Sequence, residues 1–386
     1  MIYLDNAATS WPKPESVYGV ADRVLREEAG NPGRSGHALS VAAFRRIEEA
    51  RLLIAKLFNI PNPKRVVFTL NATDALNLAI KGLALKGLSA GGGAHVVTGT
   101  MEHNSVIRPL EALRVHGLEY TKVAVCPANG ADPGEVKAAI KKNTKLVVWN
   151  HVSNVCGTVN PVAQIGAVCR ERNVPFLVDA AQSAGTMPID VRAMGIDLLA
   201  FPGHKGLLGP QGTGGLYIGE GLAPRPLREG GTGNDSRDST QPGELPGRYE
   251  SGTMNVAGIA ALGEGVRFLL ERGPENVERH EAKLANRLIA GIRDIPGLKL
   301  HGPPGGPCRA GVVSVSFDNL APTEAALLME NAFGIAVRPG LHCAPDAHRA
   351  LGTLDSGGTV RMGIGYLNTE HDMDKCIEAL AAIAKG

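Results

Sequence analysis

No run in this 386-residue chain approaches the roughly 18 apolar residues that a membrane-spanning helix requires. Its opening, MIYLDNAATS, lacks a basic stretch followed by an apolar one, so neither a membrane protein nor a secretory leader is expected, and the cytoplasm is the default location. One-signed charge is missing too. The 40 Lys and Arg stand against 38 Asp and Glu, a formal +2, which gives no sign of a nucleic-acid surface. The six cysteines (Cys126, Cys156, Cys169, Cys308, Cys343 and Cys376) never form a C-x-x-C pair, which argues against both a zinc site and a disulfide framework. No metal is expected. Internal repeats and low-complexity linkers are absent as well. What remains is the composition of a soluble globular protein, 44% hydrophobic and 20% charged. Its length suits two domains, or one large domain with a smaller satellite.

The pattern along the chain is an α/β alternation. Two helical patterns between about Val17 and Lys56 flank a polar break, NPGRSGH. Short β-rich runs then alternate with helical stretches: RVVFTL before Asp74 to Lys86, HVVTGT before a helix through Leu113, KLVVWN before Ile165 to Arg172, then PFLVDA and DLLAFP. Such a rhythm predicts a mostly parallel sheet covered by helices on both faces. Gly209 to Gly247 is dominated by Gly, Pro and polar residues and reads as an exposed loop, apart from the strand LYIG that follows the Gly-rich turn GPQGTGG. After Ala257 come a long helical pattern, the strand AGVVSVSF, a helix near Thr323 to Phe333, a short strand at IAVR and a helix from His371 onward, an α+β arrangement.

In such sheets ligands collect at the carboxyl ends of the strands, so the residues just after each apolar run deserve scrutiny. After RVVFTL, Asn71, Ala72 and Thr73 open a helix, where backbone N–H groups and a hydroxyl suit a phosphate; Thr73 could equally be a simple cap. After HVVTGT comes His103, whose flat ring could lie over a planar cofactor or be structural. After KLVVWN come His151, Ser153 and Asn154. Asp179 ends an almost wholly apolar strand, a costly place for a carboxylate unless it faces a cation or donors. Lys205 follows DLLAFP inside a Gly-dense turn. Burial there would depress its pKa and suit Schiff-base chemistry, although a solvated lysine is the alternative. An Asp and a Lys on neighbouring strand ends match the needs of pyridoxal 5'-phosphate (PLP), an anion for the ring nitrogen and an amine for the aldehyde.

Across YLDNAATS, NPGRSGH, TLNATDALN, MEHNSV, SNVCGTVNP, VDAAQS, GHKGLLGPQGTGGLYI, YESGTMN, VRPGLHCAP and VRMGIGYLNT, the chain resembles the class V aminotransferase group of fold type I PLP enzymes. Within that group it resembles the cysteine desulfurases and selenocysteine lyases. The resemblance implies a mostly parallel seven-stranded sheet in a large domain of residues 15–256, and a smaller α+β domain of residues 1–14 and 257–386. It implies PLP as cofactor, with Lys205 as the lysine that carries it, Asp179 as partner of the ring nitrogen, Gln182 as donor to the ring hydroxyl and His103 as the stacked, catalytic ring. Ala72, Thr73 and His204 resemble phosphate ligands, and Thr253 the phosphate contact supplied by the other subunit of a homodimer with composite sites. Relatives commonly place Ser or Thr two residues before His204, where this chain has Pro202. Loss of that hydrogen bond should weaken cofactor binding by about 1–2 kcal/mol at most.

The reaction has to be read from the second domain. In Arg338-Pro339-Gly340-Leu341-His342-Cys343-Ala344-Pro345, Cys343 lies beside Arg338 and His342, whose positive charge could favour thiolate; a free buried cysteine is the alternative. The segment resembles the sulfur-accepting loop of desulfurases, in its compact form. Arg361 resembles the arginine that pairs with the substrate carboxylate. Asn154 is expected to help position both substrate and cofactor, Ala8 and Arg338 are expected near the substrate, and Arg34 and His37 approach from the neighbouring subunit. The implied activity converts L-cysteine to L-alanine, the sulfur passing as a persulfide to Cys343 and then to an acceptor protein. Selenocysteine as substrate, another class V PLP reaction such as transamination or C–S cleavage, and a non-catalytic sulfur-transfer scaffold are the competing readings.

Overall fold

The computed structural model describes residues 1–33, 36–89, 93–232, 238–306 and 308–385. The apolar runs form a seven-stranded sheet: β1 (Val66–Thr69), β2 (Ala94–Gly99), β3 (Leu118–Val123), β4 (Thr144–Asn150), β5 (Phe176–Asp179), β6 (Leu198–Pro202) and β7 (Gly214–Ile218). Their spatial order is β1-β7-β6-β5-β4-β2-β3. Only β7 runs against its neighbours, pairing antiparallel with both β1 and β6.

Alternate residues of the central strands enter different cores, as the two-residue period of a strand requires. Val97, Val147, Trp149, Val178, Leu199 and Phe201 pack on one face against the helices Ala38–Leu57 and Val256–Arg272. Val96, Leu146, Val148, Leu177, Leu198 and Ala200 pack on the other, against Ala72–Ser89 and Asn104–Arg114. Burial on both faces explains why these strands read as unbroken apolar runs.

A second, antiparallel sheet contains β8 (Leu298–His301), β9 (Val312–Phe317), β10 (Arg338–Gly340) and β11 (Thr359–Gly363), in the order β8-β9-β11-β10. Its core includes Leu284, Leu288, Val313, Val360 and Met362 together with Leu4 from the start of the chain. Ile2–Tyr3 pairs with Ile335–Ala336, tying the N-terminal segment to this unit. The helix Val256–Arg272 behaves differently from the boundary expected at residue 257. Its Ile259, Leu262, Val266 and Leu269 belong to the core beneath the large sheet, and the following helix, Pro274–Ile292, makes the changeover, with Val277 in that core and Leu284 onward in the second. No helix among the described residues is long and apolar enough to cross a membrane.

Candidate active site

The ends of β1, β2, β4, β5 and β6 open onto one cavity of about 230 Å³, whose far wall is formed by Arg338, Cys343 and Arg361 of the small sheet and its loop. Thus Ala8, Ala72, Thr73, His103, Asn154, Asp179, Gln182, His204 and Lys205, named from their strand-end positions or from the resemblance, share one space.

Asp179 is 4% exposed. Its Oδ1 accepts from the Ala181 N–H at 2.8 Å. Burial raises its pKa, opposed by that N–H and by the Lys205 charge. Lys205 lines the cavity and keeps some surface, yet the protein crowding its ammonium, with the Arg361 charge, lowers its pKa to about 8 despite Asp179. Burial, with the Lys205 charge, holds His103 at about 4. Its Nδ1 caps the helix Asn104–Arg114, accepting from Ser105 N–H at 3.1 Å, so the neutral ring carries its proton on Nε2. The structural and functional readings of His103 are therefore compatible.

Thr73 is not the cap of its helix. Asn71 is, its Oδ1 accepting from Asp74 N–H at 3.0 Å. Thr73 Oγ1 instead lies 2.8 Å from Ser105 Oγ, which is 2.9 Å from His103 Nδ1. His204 is anchored through its carbonyl by Ser10 N–H and the Thr9 hydroxyl, each at 3.0 Å. Its imidazole, held near pKa 4 mainly by burial, leaves a buried Nδ1 without a partner. Pro202, in this wall, has neither a hydroxyl nor an N–H to donate. Gln182 donates through Nε2 to Ala7 O at 3.0 Å, committing one amide hydrogen to the N-terminal segment.

Opposite, β10 and β11 set Arg338 directly across from Arg361. Like charges facing each other on antiparallel strands repel, and both line the cavity, so the pair suits an anion between them. Arg361 is 2% exposed. It donates to Asn154 O at 2.9 Å and to Asp5 Oδ1 at 3.0 Å, while its Nε is buried without a partner. Further N–H donors remain for a carboxylate.

Cys343 is exposed at the cavity wall. Its carbonyl accepts from Asn104 N–H at 2.8 Å, and the preceding His342 carbonyl accepts from Asn154 Nδ2 at 2.7 Å. The positive charge expected at His342 is not there. His342 contributes no positive charge beside the cysteine, because burial and the Arg361 charge push its pKa down to about 3. The nearby cations are Arg338 and Arg361.

Thr253 and His37 are exposed and do not line this cavity; His37 caps the helix Ala38–Leu57. Arg34 lies outside the described residues. Sequence reasoning missed Ser105, between Thr73 and His103, and Asp5, which holds Arg361. Ser105 could have been found as the residue two places after a strand-end His. No local signal marks Asp5, which meets Arg361 only through the fold.

The residues present fit PLP. A buried carboxylate, an amine of lowered pKa, an orphaned His204 nitrogen and a helix N-terminus at Ala72 converge on one space, the last two suiting a phosphate.

The aminotransferase class-V family model matches residues 2–376. A probable cysteine desulfurase of Methanothermobacter thermautotrophicus is 36% identical, over 99% of this chain and 94% of the relative. The cysteine desulfurase IscS of Dictyoglomus turgidum is 30% identical, over 99% and 94%. Among solved structures, a cysteine desulfurase from Thermococcus onnurineus in its apo form superposes with a TM-score of 0.92 at 34% identity, covering all of this chain and 95% of the other.

Proposed function

We propose that this chain, which belongs to the aminotransferase class-V family and to the cysteine desulfurases within it, is a PLP-dependent enzyme that removes sulfur from L-cysteine through Cys343. The observation that carries this reading is the meeting of Asp179, Lys205, Arg361 and Cys343 around one cavity. PLP, when bound, supplies an electron sink for bonds broken at the substrate Cα.

The chain's own residues account for the rest. Asp179 would hold a proton on the ring nitrogen, and Thr73, His204 and the N–H groups opening the helix Ala72–Ser89 would bind the phosphate. Arg361, with Arg338 opposite, would grip the substrate carboxylate. Lys205 Nζ, with its pKa near 8, is suited to take the Cα proton at neutral pH and return it. His103 Nε2–H is a neutral donor beside it. Cys343 Sγ, as thiolate, attacks the substrate sulfur. An S–S bond forms as the C–S bond breaks, the electron pair leaves with the substrate carbon, and a proton restores that carbon as the methyl of alanine.

The reading includes a homodimer, in which exposed Thr253 and His37 serve the neighbouring site, and an acceptor protein that collects the persulfide sulfur. Incubation with L-cysteine and a thiol reductant should yield sulfide and alanine in equal amounts. An α-keto acid in place of alanine would sink the assignment.

A further inference from the structure

Cys343 and His342 both adopt left-handed backbone angles, φ 56° and 50°, which side-chain-bearing residues hold only when their surroundings impose them. Those surroundings are specific. The helix Pro345–Leu351 that follows is docked by Ala344 and Ala347, both fully buried, and by the Lys122–Asp346 ion pair at 2.6 Å. Between the loop and this helix, the His342 and His348 rings lie 5.4 Å apart in a stacked arrangement. Three contacts run in series: His342 Nε2 to Arg338 O at 3.1 Å, His342 Nδ1 to His348 Nε2 at 3.2 Å, and His348 Nδ1 to Thr353 Oγ1 at 2.8 Å.

Only one arrangement of protons satisfies the series. A carbonyl can only accept, so His342 carries its hydrogen on Nε2. Both rings are neutral, since burial, with the Arg361 charge, lowers His342 to about 3 and His348 to about 4. His342 Nδ1 must then accept from His348 Nε2–H, and His348 Nδ1 from the Thr353 hydroxyl, whose other acceptor, the His348 carbonyl, is more distant at 3.4 Å. Every nitrogen is committed, so His342 cannot serve as a base for its neighbour. We propose that Thr353, His348 and His342 form a one-directional hydrogen-bond chain, ending on the Arg338 carbonyl, that positions Cys343 for attack on the substrate sulfur. Cys343 is thus held in place at an exposed wall, and an acceptor must reach it there. These are positioning residues, and the inference rests on the reading of Cys343 as the sulfur acceptor.

The test uses the PLP-loaded enzyme, its Thr353→Val variant, which keeps the shape and loses the hydroxyl, and Thr353→Ser, which keeps the hydroxyl. In a single turnover with L-cysteine, mass spectrometry follows sulfur addition at Cys343 while the cofactor absorbance follows substrate binding. Thr353→Val should slow sulfur addition about tenfold, equivalent to ~1.4 kcal/mol, with substrate binding unchanged, and Thr353→Ser should recover the rate to within about twofold of wild type, since the hydroxyl donor is retained. Sulfur addition by Thr353→Val at the wild-type rate, or equal impairment of both variants, overturns the proposal. Absence of sulfur on Cys343 in the wild type would instead defeat the functional reading itself. Should Thr353→Val fail to fold, nitrogen-15 NMR of the wild-type imidazoles decides. Both rings must be neutral with hydrogen on Nε2 at neutral pH, and a charged ring or an Nδ1–H form at either position overturns the chain.

Discussion

Replacing Arg361 by Lys isolates what the guanidinium fork contributes to substrate recognition. Arg361 is buried, and its N–H groups hold Asn154 O and Asp5 Oδ1, so its plane is fixed before a substrate arrives. A lysine keeps the charge and offers it as a single point, forfeiting one of two parallel charge-assisted hydrogen bonds to a carboxylate. That loss is worth about 1.5–3 kcal/mol, or roughly 10- to 150-fold in kcat/KM. The carboxylate is bound alike before and during the chemistry, so the loss should fall on KM with kcat little changed. Initial sulfide release against L-cysteine concentration measures this, and urea unfolding shows whether the lost Asp5 contact has disturbed the fold. Cysteamine, which is cysteine without its carboxylate, supplies the control: it should be a poor substrate for the wild type and indifferent to Arg361→Lys. A KM within twofold of wild type, or cysteamine turned over as readily as cysteine, refutes the role assigned to this arginine.

Cys343→Ala should lose sulfide release from L-cysteine while PLP remains bound; sulfide release that survives the substitution would remove Cys343 from the reaction. The lowered pKa of Lys205 makes a second expectation. A neutral amine is the nucleophile, so the rate at which PLP attaches to the apoprotein should climb with pH about a midpoint near 8, and a midpoint near that of an ordinary lysine counts against the burial argument. Gly358 has φ 101°, and a Cβ there would collide with the carbonyl of Gly340. Gly358→Ala should therefore cost at least about 2 kcal/mol of stability, read from the urea midpoint, and raise KM by disturbing the strands that carry Arg338 and Arg361. An unchanged midpoint would show that the two strands part without penalty.

What could be read from the sequence followed from how each residue's environment is encoded. The inner strands were legible because burial on both faces leaves uninterrupted apolar runs, and their ends located Asp179 and Lys205. Strand Leu118–Val123 escaped notice because it lies at the sheet edge, where Glu119, Tyr120, Thr121 and Lys122 keep contact with solvent, so no apolar run announces it. Thr73 was ambiguous because capping depends on which residue turns first, and here Asn71 does. The charge state of His342 was misread for a related reason. Its neighbours in sequence are polar and cationic, whereas its ring is governed by burial, the Arg361 charge and a carbonyl four residues earlier.

The facing of Arg338 and Arg361 belongs to the same class. Each arginine is visible alone, but their opposition exists only in the register of an antiparallel pair. A shift of one residue would send Arg338 to the other face of the sheet. That register is fixed beside the point where Gly358 lies against the Gly340 carbonyl, too close for a side chain on Gly358. The proposed carboxylate site thus depends on Gly358, a residue that does not line the cavity. This is why a stability measurement on Gly358→Ala, paired with its KM, tests the recognition argument from a direction that mutating the arginines cannot.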